Sequence, residues 1–247
     1  MSKNGYSTRS NRRRRAQPRG FVAGLTPEGQ VNKVVADMNN LKDGYDLRNW
    51  SASARKELTP ALTVKLLVGK VPATEVHVPK LTLIVASPVV RAHFVKNPAE
   101  MQAKFIHADV SLDAVQQISE WLKEVCHKSE FPEIPVPEDL EAALKLRLTA
   151  HTLGMQRYVD HIEVRYLEGV TKRAPTLQEV AVVVDNTREK NDPIMVALAN
   201  QLSYICRCHK VSQDTEISYA NLLAEEKYGR LLDAVDEEKV EAMIKDD

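Results

Sequence analysis

Leu62-Thr63-Val64-Lys65-Leu66-Leu67-Val68-Gly69, followed by Glu75-Val76-His77-Val78, is the stretch on which the fold turns. Both runs are rich in strand formers and alternate in part, as a half-buried strand must. Between them, Gly69 to Thr74 supplies Gly, Pro and Thr, the chemistry of a turn. The pair predicts a hairpin. Pro79 then opens a helix-like run with Leu81, Ile84 and Val85 on one side, and Ser87-Pro88 starts another in which Val89, Val90 and Phe94 are apolar.

Working outward, Ala103 to His107 reads as a third strand. Leu112, Val115, Ile118, Trp121, Leu122 and Val125 recur at helical spacing, with Asp113 in the first turn where the helix dipole favours an anion. The prolines between Ser129 and Pro137 enforce a loop. From Glu138 a helix carries Leu140, Ala143, Leu144, Arg147, Leu148 and His151 on one face, and Gly154 ends it in a left-handed cap. Gln156 to Glu168 is a further helix with Val159, Ile162 and Tyr166 inward. Thr176–Val184, Pro193–Cys206, Thr215–Leu223 and Lys227–Ala234 read as helices too. The expected class is α+β: a small sheet with a helical cluster, then an all-helical C-terminal extension.

Charge divides the chain. Residues 1–20 hold seven basic residues and no acid, while the chain as a whole is formally neutral. Few large apolar groups occur there, so the head does not bury enough surface to offset ordering entropy. The expected organisation is a largely disordered basic tail over 1–58, a central domain over 59–170 and a helical extension over 171–247. Within the tail, Val31 to Leu41 has some helical spacing, and Trp50 is placed to pack back on the main domain. Arg12, Arg13, Arg14 and Arg15 form a candidate nuclear-import signal or nucleic-acid contact. Phosphate contacts alone would bind weakly and with strong salt dependence.

The three cysteines are odd in number and sparse, which argues against a secreted disulfide framework. No apolar run is long enough for a membrane span, and no apolar signal region follows the basic head. The expected compartment is nucleus or cytoplasm, with no membrane partner. Cys206-Arg207-Cys208-His209 lacks the spacing and the second pair of a zinc site. Gly24 and Gly29 have P-loop spacing, but Gln30 and Val31 stand where Lys and Ser/Thr are needed. The histidines are scattered and no nucleophile motif occurs. The expectation is no enzyme, no catalytic residue, no metal and no cofactor.

From Val64 to about Leu167 the chain resembles the BTB/POZ family. Leu66-Leu67-Val68-Gly69 is similar to its first strand, and Glu75 to Leu81 to its strand-to-helix segment. Ala86-Ser87-Pro88 through Phe94 is similar to its Ser-Pro helix, and Asp109-Val110-Ser111 with the helix to Leu122 to the next element. Leu148-Thr149-Ala150-His151-Thr152-Leu153-Gly154-Met155 is similar to its Leu-Gly-Met helix end. The overall look resembles BTB-type proteins of filamentous fungi. The resemblance implies a protein-interaction adaptor or scaffold that binds protein partners, itself among them. Thr63 stands near where many dimeric members carry an aspartate. Pro98-Ala99-Glu100 stands where cullin-binding members carry hydrophobic-x-Glu. The resemblance thus implies protein binding more firmly than dimerisation or a cullin-ligase role. Val64, Leu66, Val90, Phe94 and Trp121 are the candidate interaction surface.

Overall fold

A computed structural model of the protein describes residues 25–58, 62–69, 73–105 and 109–235. Two strands, β1 (Thr63–Val68) and β2 (Thr74–Pro79), form the expected antiparallel hairpin, with Lys65 opposite His77 and Leu67 opposite Glu75. Gly69 leaves β1 at a φ of +93°. Helices α3 (Lys80–Ala86) and α4 (Pro88–Lys96) follow, and β3 (Gln102–Phe105) returns parallel to β1, giving the strand order β2-β1-β3.

Period-two alternation decides which face is inside. Val64, Leu66, Val68, Val76, Val78 and Ala103 point to one side and are buried. Lys65, Leu67, Glu75, His77, Gln102 and Lys104 take the other face, where Lys65 pairs with Glu75 at 2.8 Å. Against the inner side lies α5 (Leu112–His127). Its buried stripe is the one that the periodicity marks, and its Ser119 hydroxyl donates to the His77 carbonyl. The proline loop is tied down by Trp121 Nε1 donating to Pro132 O at 2.8 Å and by Gln117 donating to Pro135 O.

The N-terminal boundary differs from the expected one. Residues 27–58 are not a tail: α1 (Pro27–Asn40) and α2 (Ala52–Glu57) are folded. Val31, Val34, Met38, Leu47, Trp50 and Leu58 from this segment join the central core. Arg55 shows why the segment stays. Its buried guanidinium donates to the carbonyls of Trp50, Val125, Lys128 and Ser129, so it satisfies the open C-terminal end of α5. The helical spacing over Val31 to Leu41 and the inward packing of Trp50 are both present, and the boundary of the folded part moves toward the N-terminus accordingly. Arg12 to Arg15 lie outside the described residues.

Helix α6 (Leu140–Thr152) starts two residues later than expected because Asp139 is its N-cap, accepting from Ala142 N at 2.8 Å. A 3-10 turn over Gln156–Tyr158 precedes α7 (Asp160–Val170). Beyond it come α8 (Leu177–Asn186), α9 (Pro193–Arg207), α10 (Gln213–Leu223) and a helical stretch over 229–235. The architecture is mixed α+β. Helices α6 and α7 are two-faced: Ala143, Leu146, Ala150 and Ile162 enter the core under the sheet, while Leu144, Tyr166 and Val170 enter a second, helical core.

Candidate interaction surface

The five residues proposed as a surface are not on one. Val64, Leu66, Val90, Phe94 and Trp121 are all buried in the central core. Val64 and Leu66 lie on the inner sheet face. Val90 and Phe94 are one turn apart on the inward stripe of α4, and Trp121 packs against Tyr158 and Phe131, with ring centroids 5.1 and 5.9 Å away. Their hydrophobicity is spent inside the chain, at roughly 1.5–3 kcal/mol for each such side chain.

The outer face of α4 is what remains exposed. Val89 and Val95 are each 46% accessible, Ala92 lies between them, and Met101 is exposed in the turn leading to β3. This helix is held at both ends. Ser87 caps it, accepting from Val90 N, and donates its hydroxyl to Leu153 O at 2.5 Å. Pro88 rests on Gly154, where an added Cβ would come within 2.8 Å of the proline ring. Gly154 also has a φ of +70°, so glycine is required there twice over. At the other end the buried Lys80 reaches under the Phe94 ring and donates to Pro98 O and Glu100 O, at 2.6 and 2.7 Å. Burial pushes its ammonium below the ordinary lysine range. Glu100, itself exposed, pairs with His93 Nε2 at 2.8 Å.

A second exposed element borders α4. The turn after α1 places Asp43 at a φ of +53°, and Gly44 approaches so closely that a Cβ would meet Met38 O at 2.1 Å. Gly44 O accepts from Trp50 Nε1 at 2.8 Å. This tight turn presents Tyr45. Its ring is exposed, yet its hydroxyl donates to Asn39 Oδ1 at 2.6 Å and Arg91 stacks over its face at 4.7 Å. Next to it, Asp46 is buried and accepts from the backbone and guanidinium of Arg48. Burial alone would raise this carboxyl. The hydrogen bonds and charge of Arg48 outweigh that and hold it below the usual range. Arg157 stands further off, 3.8 Å from Asp46 Oδ2. Tyr45, Arg91 and Arg157 come together from three separate segments. No local signal in the sequence marks them as neighbours; only Asp43-Gly44 announces the turn.

Other clefts lie away from this surface. A polar one of about 500 Å³ lies where α6 meets the α8–α9 loop and is lined by Arg147, His151, Gln156, Arg188, Asn191 and Asp192. Arg147, 4% exposed, is already held by Asp192 and Glu163 at 2.8 Å each. Burial, then Arg147, pushes His151 below its ordinary value. An apolar groove of about 380 Å³ lies between α9, α10 and residues 232–235. Cys126 is buried, Cys206 half-buried and Cys208 exposed. Among the described residues no group of three His, Cys, Asp or Glu has metal-binding geometry, and no helix is long and apolar enough to cross a membrane. No family model, curated protein or solved structure matches the chain.

Proposed function

We propose that this chain is a non-enzymatic adaptor or scaffold. A BTB/POZ-like unit binds another protein through the outer face of α4 and the Tyr45 turn. The observation that carries this reading is an exposed apolar row, Val89, Ala92 and Val95, on an element fixed from both ends by Ser87, Gly154 and Lys80. A rigid apolar face loses little entropy on docking. The order of elements lends support: a hairpin, two helices, a strand returning parallel to the first, then an amphipathic helix and a helix pair. The resemblance to BTB/POZ proteins implies the hairpin, the Ser-Pro helix, the amphipathic helix and the Leu-Gly-Met helix end of this order. A cullin-ligase role gains no support from Pro98-Ala99-Glu100, because Lys80 and His93 already engage that turn.

The test uses the full chain as bait in a host lysate, beside Val89→Asp and Val95→Asp. Both positions are exposed, so a charge there is expected to leave the fold intact, which circular dichroism checks. A specific protein retained by the wild type and lost by both variants is the expected result. Light scattering on the same samples separates self-association from a different partner. Retention unchanged by both variants would remove α4 as the binding face.

A further inference from the structure

The geometry points to a more specific partner chemistry: we propose that Arg91, Arg157 and Tyr45 form a recognition site for an acidic, apolar-anchored segment of the partner protein. The inference rests on the adaptor reading above and names what the adaptor takes.

Arg91 is the central observation. Its Nη1 makes two long bonds, to Ile84 O at 3.3 Å and Val85 O at 3.4 Å. A guanidinium has five N–H donors. Those on Nε and Nη2 have no protein partner among the described residues, and no carboxylate pairs with the group. Arg91 is half-buried, and its open donors face outward. Arg157, close enough to repel it, adds a second positive charge. Burial first, and then Arg157, lower the Arg91 pKa, while the Tyr45 ring acts in the opposite sense.

The local acids do not cancel this field. Three guanidiniums, Arg48, Arg91 and Arg157, share the site with Asp46 and Asp160, and both carboxylates act on Arg48. Asp46 accepts the Arg48 fork at 2.7 and 2.9 Å, which leaves Arg157 at 3.8 Å. An arginine fork with free donors matches a carboxylate in shape and charge. Tyr45 supplies the second half of the recognition. Its exposed ring is immobilised at the hydroxyl by Asn39 and at the face by Arg91. Tyr and Arg fixed in this way are the side chains that dominate binding energy at protein interfaces.

A polyanionic nucleic acid fits less well. The site interleaves its cations with carboxylates and apolar groups. A peptide with spaced acids around one large apolar residue matches that pattern, and a continuous phosphate backbone does not.

Fluorescence anisotropy with the full chain tests this. The probe is a short labelled peptide rich in glutamate around one leucine; its counterpart has glutamine in place of each glutamate. The glutamate peptide is expected to bind at least about tenfold more tightly. Arg157→Gln, at an exposed side chain, and Arg91→Gln are each expected to weaken it several-fold, with Lys145→Gln unchanged. Arg157→Gln keeps the test valid if Arg91→Gln fails to fold. Equal binding of the two peptides, or curves that ignore Arg157→Gln, would overturn the proposal. Displacement of the peptide by a short DNA duplex in an Arg157-dependent manner would overturn it too, in favour of phosphate. A flat glutamate-peptide titration combined with partner loss on Val89→Asp would sink the acidic site and leave the adaptor reading standing.

Discussion

Val64, Leu66, Val90 and Phe94 sit in a core that draws on the chain from Val31 to Ile162, whereas Val180, Val183, Leu198 and Leu202 sit in a core built from residues 144 to 235 by helices alone. The first is closed by distant ties. Leu47 N donates to Tyr158 Oη across 111 residues, and Arg55 reaches Val125 O across 70. The second is closed over shorter spans: Tyr219 Oη donates to Pro175 O across 44 residues and Arg230 to Val184 O across 46. Loop-closure entropy must be met before distant contacts reward it, so the first core is the slower to assemble. The difference also shows where surface is decided. In the central core, which apolar residues stay outside depends on segments brought from both ends of the domain.

Both tryptophans, Trp50 and Trp121, belong to the first core. Tryptophan fluorescence thus reports on that core, and far-UV circular dichroism on both. The largest expected effect is Phe94→Ala, about 3–5 kcal/mol of destabilisation, as the ring and its contact with Lys80 are lost. In urea it shifts the fluorescence transition. Leu198→Ala, about 2–5 kcal/mol on the same grounds, shifts the dichroism transition more than the fluorescence. Equal shifts in both signals would show that the two cores unfold as one unit and would break the comparison.

Arg147 tests the seam. It stands on α6 between Leu144 and Ala150, which face different cores, and joins α7 and the start of α9 through Glu163 and Asp192. Its Nε–H has no hydrogen-bond partner, so the group depends on those two carboxylates. Arg147→Met leaves both acids without their cation, at a cost of about 3 kcal/mol. The expected signature is separation of the fluorescence and dichroism midpoints. Coincident midpoints in the variant would show that apolar contacts through Leu144 and Tyr166 hold the halves together.

Asp46 gives the smallest effect and sharpens the picture of the N-terminal segment. Asp46→Asn is expected to cost about 1 kcal/mol as a weakened cap. The folded carboxyl lies below its ordinary value of 3.8, so its stabilisation is fully present above about pH 4. It is lost as pH falls through the lower folded value. Thermal melts of wild type and variant should differ at pH 7 and draw together as acid protonates the folded carboxyl. A difference that persists in acid would mean that shape, not charge, carries the contribution.

Much of the fold was legible. The α5 stripe from Leu112 to Val125 repeats every three to four residues, and a helix is the only element with that period. Ser87-Pro88, the prolines of the 129–137 loop and Gly154 act within their own turns, so their reading needed nothing distant. The exposed apolar face of α4 was not legible. Val89 and Val90 are the same residue type at adjacent positions, and Phe94 and Val95 are both strongly apolar. Which of each pair faces the core depends on where α4 meets the sheet and the end of α6.

The sequence by itself determined the hairpin, the order of helices, the caps and the charge separation of the basic head, because propensity, periodicity and capping act over a few residues. Only the tertiary structure decided that residues 27–58 belong to the core, that Val89 and Val95 of α4 stay outside it, and that Tyr45, Arg91 and Arg157 meet. Burial and electrostatic fields depend on groups brought together across dozens of residues, and a linear pattern carries no record of those distances.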